Sequence, residues 1–68
     1  METQITFRHA INVATFPLSY DEKTRNDAIR TLRSYEEKAV LSATKRDCNV
    51  GIRRIKTVCL YNNLSCID

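Results

Sequence analysis

One glycine, one proline and no tryptophan among 68 residues leave few ways to turn the chain tightly. Two-residue hairpins and small sandwiches need Gly, Asn-Gly or Pro at their corners. Their scarcity excludes an architecture of many short strands and favours a few long elements. The single glycine, Gly51, also excludes a glycine-rich phosphate loop. No run approaches the roughly 18–20 apolar residues that a membrane-spanning helix requires. Cysteines number three, an odd count that leaves at least one thiol outside any disulfide framework. The opening Met1-Glu2-Thr3-Gln4 is polar and acidic and lacks the pattern of a secretion signal. A reducing, cytoplasmic setting with free thiols, away from membranes, is the expectation.

What is present is ordinary for a folded chain: 43% hydrophobic and 28% charged residues. The length allows one small domain over 1–68, burying only about 60% of the surface its unfolded chain exposes. The net charge of +3 is unevenly spread. Up to Thr44, basic and acidic side chains balance. The excess lies in Lys45, Arg46, Arg53, Arg54 and Lys56 against Asp47 and Asp68. Such an asymmetry favours an anionic partner.

The clearest local signal is Ser19-Tyr20-Asp21-Glu22, which reads as a capping box with Ser19 as N-cap and Glu22 reaching back to the cap amide. From there to Lys45 no Gly or Pro intervenes. Ala28, Ile29, Leu32, Tyr35, Ala39 and Val40 share one face, and Arg30, Arg33, Ser34 and Glu37 the other. The spacing predicts a helix over 19–45, close to 40 Å long at about 1.5 Å per residue. Residues 4–16 read either as a strand, with Ile5, Phe7, Ile11 and Val13 alternating against polar neighbours, or as a helix with Phe7, Ala10, Ile11 and Ala14 in one stripe. An isolated two-stranded sheet is poorly stable, so helix is favoured. Pro17 closes the element in either case. A third element spans 50–61 after Asp47-Cys48-Asn49, with Ile52, Ile55, Val58, Cys59 and Leu60 on its apolar half and a stop at Asn62-Asn63.

The fold expected is therefore mostly α: a helical hairpin with a long central helix and a short third helix. The alternative is α+β, a strand–long helix–strand unit that dimerises.

Candidate chemistry is sparse. The cysteines are separated by eleven and seven positions, and the only histidine, His9, is far upstream. Structural zinc sites present pairs two to four residues apart, so no metal site is expected. No motif marks a thiol as an activated nucleophile, and Asp21 and Glu22 are accounted for by helix capping and the helix dipole. No catalytic residue or cofactor is assigned, and the chain reads as a non-enzyme. Two binding readings follow. Surplus apolar surface, with Leu41 off the main face of the long helix and two apolar sides on the first segment, predicts a homodimer or a host-protein partner through Val13, Phe16, Leu41 and Tyr61. The basic segment predicts, alternatively, a small DNA-binding regulator that uses Lys45, Arg46, Arg53, Arg54, Lys56 and Thr57 on a helix following a helical hairpin.

Val13-Ala14-Thr15-Phe16, then Asp21-Glu22-Lys23 and Asp27-Ala28-Ile29, resemble the centre of the Kil-type small early-region proteins of lambdoid phages. The resemblance covers roughly residues 10–35, with a short insertion around Leu18-Ser19. This chain carries an additional segment, Cys48–Asp68. The resemblance implies a short, intracellular, non-enzymatic phage or prophage accessory protein that binds a host component.

Overall fold

The computed structural model describes residues 5–67. Among them it is a three-helix unit without strands: α1 (Phe7–Thr15), α2 (Glu22–Lys38) and α3 (Ser42–Tyr61), with a 3-10 turn at Pro17–Ser19. The strand alternative for the first segment is thereby overturned, although Gln4 lies outside the described residues. Thr6 caps α1, its Oγ1 accepting from His9 N–H at 3.1 Å. Ala10, Val13 and Ala14, at helical i, i+3 and i+4 spacing, are buried. Phe16 leaves the helix with φ −130° and ψ 67°, outside the α region that a following proline disfavours.

Two expectations for the long helix fail for identifiable reasons. Ser19 is not its N-cap. Pro17, fixed in φ, starts the 3-10 turn, and that turn takes up Ser19, whose amide donates to Phe16 O at 3.0 Å. Tyr20 and Asp21 are then extended, and Asp21 becomes the cap, accepting from Thr24 N–H at 2.9 Å. Nor does one rod run from 19 to 45. The chain breaks at Ala39–Leu41, where Ala39 and Leu41 are extended with ψ 134°, and α3 begins at Ser42 instead of residue 50. The reversal lets α3 fold back onto α2, the most extensive helix pairing in the molecule. A continuous rod would have left that apolar surface in water, and burial outweighs the local propensity to stay helical.

Asp47-Cys48-Asn49 is consequently helix interior, not a break. Cys48, Ile52, Ile55 and Cys59 form the inner stripe of α3, and with Ala28, Ile29 and Leu32 of α2 and Ala10, Val13 and Ala14 of α1 they make the core. Gly51 sits where the three helices meet: a Cβ there would lie 2.9 Å from Leu32 Cδ1 and 3.4 Å from Ala14 Cβ. Leu60, expected inside, is 75% exposed. α3 ends at Asn62 as anticipated, and Asn63, with φ 55°, turns the tail back. Cys66 and Ile67 pack against the core, and Ile67 N–H donates to Asn26 Oδ1 at 3.3 Å.

Arg25 is a buried cation that ties the α1–α2 connection to the bundle. Its Nη1 donates to Tyr20 O at 2.6 Å and more weakly to Pro17 O at 3.5 Å. Asp27, also buried, is held between Lys23 Nζ at 3.2 Å and Arg30 Nη1 at 3.3 Å.

Candidate partner-binding surface

The four residues expected to meet a partner separate in space. Val13 is fully buried in the core and is corrected to a packing residue; the face of α1 that it shares with Ala10 and Ala14 points at α2 and α3. Leu41 is 67% exposed, but it precedes the first residue of α3. Tyr61 ends the same helix, about 30 Å away at roughly 1.5 Å per residue. The two therefore do not belong to one compact patch. Phe16 and Tyr61, both exposed, lie toward the same end of the molecule. Arg54 Nε donates to Ala14 O at 3.2 Å, which fixes the C-terminal end of α1 beside the middle of α3. The 3-10 turn then continues along α3, with Leu18 also exposed.

α3 carries a second stripe on its outer side. Arg46, Val50, Arg53, Thr57 and Leu60 recur at alternating spacings of four and three, and all are exposed. This is the period that keeps side chains on one line of a helix facing another element. Between α3 and α1 runs a shallow groove whose walls include Ile11, Ala14 and Val50, with Arg46 and Arg54 at its edge. A second hollow follows along α3, bordered by Val50, Arg53, Arg54 and Thr57. Val50, Leu60 and Leu18 were not anticipated as surface residues. The four-three spacing beginning at Arg46 is visible in the sequence, but only once α3 is known to start at Ser42.

The six residues of the basic reading all fall on α3, and they are not equivalent. Arg46, Arg53 and Thr57 are exposed on the outward stripe, Lys45 is exposed near the start of the helix, and Lys56 is half-buried. Arg54 is exposed yet engaged with Ala14 O. Both salt bridges seen among the described residues belong to Asp27 on α2, so neither neutralises a cation of α3.

The thiols lie elsewhere. Cys48 and Cys59 are buried on the inner stripe and Cys66 is half-buried in the tail; all three are free. Burial pushes the Cys48 thiol up, with Glu36 and Asp47 adding to the effect. Burial also raises that of Cys59, against a downward pull from the Arg25 guanidinium. His9 meets the Tyr20 ring edge-on at 5.6 Å, on α1. Among the described residues no group of three or more His, Cys, Asp or Glu side chains is placed to hold a metal ion, and no helix is long and apolar enough to cross a membrane. Comparison of the chain with family models, with curated proteins and with solved structures finds no match.

Proposed function

We propose that this chain is a non-enzymatic accessory protein that binds another protein through the outward face of α3, with Phe16 and Leu18 at its margin. The observation that carries the reading is the exposed stripe Arg46–Val50–Arg53–Thr57–Leu60, in which two arginines and two apolar side chains share one line with Thr57. Interfaces combine apolar anchors with arginine in this manner. The stripe favours a partner bearing carboxylates over a second copy of the chain. Arg53 is its midpoint, so an antiparallel two-fold pairing would set Arg53 against its own symmetry mate, and like charges across an interface are unfavourable. The homodimer expected from the sequence is accordingly the weaker form of this reading. A phage or prophage role inside a bacterial cytoplasm follows from the resemblance over residues 10–35.

The test compares capture of bacterial proteins by the tagged chain and by a Val50→Glu, Leu60→Glu variant. A partner retained by the first, lost by the second and released by added salt supports the reading. Identical capture by both ends it.

A second reading, a small DNA-binding regulator, is favoured by one observation: among the described residues neither salt bridge reaches a cation on the outer side of α3. Titrating salt against binding to random duplex DNA separates the two. A regulator shows a steep loss of affinity with salt, weakened by Arg46→Ala and Arg53→Ala, because each phosphate contact releases counterions.

A further inference from the structure

The end of the chain brings two thiols and a buried cation together. After α3, Asn63 adopts φ 55° and Leu64 N–H returns to donate to Cys59 O at 2.8 Å. Three residues later the Ile67 amide is anchored to Asn26 Oδ1 on α2 at 3.3 Å. Cys66 lies between these two anchors, half-buried against the same core in which Cys59 is wholly buried. Arg25 reaches this region from α2. Its Nη1 is occupied by backbone carbonyls, while its Nε is buried with no hydrogen-bond partner among the described residues. Both the Arg25 guanidinium and the Cys66 thiol act on the Cys59 thiol. Cys48, eleven positions before Cys59 on the same helix, is about 16 Å away by helical rise and beyond the reach of a disulfide.

We propose that Cys59 and Cys66 form a reactive dithiol that closes to an intramolecular disulfide when the protein meets hydrogen peroxide. Cys66, the less buried of the two, reacts first. Its thiolate attacks one peroxide oxygen, the O–O bond breaks, and the departing hydroxide takes up a proton to leave as water. Cys66 is then a sulfenic acid. The Cys59 sulfur attacks the Cys66 sulfur, and the displaced hydroxide leaves with the Cys59 proton as a second water. Two thiols are oxidised to one disulfide and one peroxide is reduced to two waters. The Arg25 guanidinium beside Cys59 opposes the rise that burial imposes on that thiol, the one that resolves the sulfenic acid. Pairing of this kind inside the cell is characteristically transient and redox-sensing.

Treating the full-length protein with hydrogen peroxide, alkylating the remaining thiols and digesting with trypsin tests the proposal directly. Lys56 is the last basic residue, so both thiols fall in the single peptide 57–68. The expected product is that peptide unalkylated and lighter by two hydrogens, restored by dithiothreitol, with Cys48 alkylated as before. Cys66→Ser abolishes the product and Cys48→Ser leaves it intact. Closing so short a loop raises Tm by roughly 5–15 °C in the oxidised protein. A disulfide through Cys48, a dimer linked through Cys66, or a 57–68 peptide still alkylated at both thiols would each overturn the proposal.

Discussion

Gly51 of α3 lies directly against Leu32 of α2, so close that a single added carbon would approach the Leu32 side chain to 2.9 Å. A glycine inside a helix costs roughly 1 kcal/mol relative to alanine. Here the close approach of three helices accounts for its presence. Leu32 is fully buried and Ala14 closes the other side, so neither can yield freely. Gly51→Val is expected to destabilise the fold by about 2 kcal/mol through overpacking, and Gly51→Ala by less, because its helix propensity gain offsets part of the clash. Urea denaturation monitored by circular dichroism measures both. A stabilised Gly51→Val protein would refute the three-helix junction.

Cap assignment at α2 separates two neighbouring residues. Asp21→Ala is expected to lower Tm by a few degrees, whereas Ser19→Ala leaves it unchanged. The hydrogen bond from Thr24 holds the Asp21 carboxyl below its usual pKa. The folded value therefore lies below the unfolded one, and the contribution is complete above the ordinary carboxylate range and lost as pH falls through the folded pKa. The Tm gap between the native chain and Asp21→Asn should accordingly narrow in acid. A gap that widens in acid would contradict the assignment.

Arg25 is expected to matter through the carbonyls it satisfies. Arg25→Ala strands the Tyr20 oxygen, leaves Pro17 O with only the Tyr20 amide, and removes a buried stem, with an expected loss of about 3 kcal/mol. Arg25→Lys should restore only part of this, since an ammonium does not reproduce the planar fork. Equal stability of the lysine variant and the native chain in urea would show that charge alone suffices.

Of the four residues first assigned to partner contact, stability measurements should single out one. Val13→Ala, in the core, is expected to cost about 1–2 kcal/mol. Phe16→Ser and Tyr61→Ser, on exposed positions, should stay within about 0.5 kcal/mol of the native value. A large loss for Phe16→Ser would show that its ring is buried in solution.

Helical content was legible because it rests on repeated spacing: Ala10 and Ala14 in α1, and Ile52, Ile55 and Cys59 in α3, announce their buried faces, whereas Val13 read as belonging to the opposite side of α1 and proved to be core. The stop at Asn62-Asn63 was legible because Asn adopts positive φ readily. The break at Ala39–Leu41 was not, because no residue there forbids a helix; the bend is chosen by what it lets α3 cover. With the break hidden, Cys48 read as part of a connection and the stripe from Arg46 to Leu60 was split between two elements. The cap at Asp21 was obscured by Ser19, which matches the same pattern two positions earlier but is taken up by the turn that Pro17 begins. The surface chemistry was legible as a concentration of cations, and its arrangement awaited the correct start of α3.

The reversal at Ala39–Leu41 has neither a glycine nor a proline to hold it, and Val40, 92% exposed, contributes almost nothing to its own burial. Its curvature is thus borrowed from the adhesion of the helices on either side. Substitutions that loosen the α2–α3 seam, however far from residue 40, should also let the corner straighten.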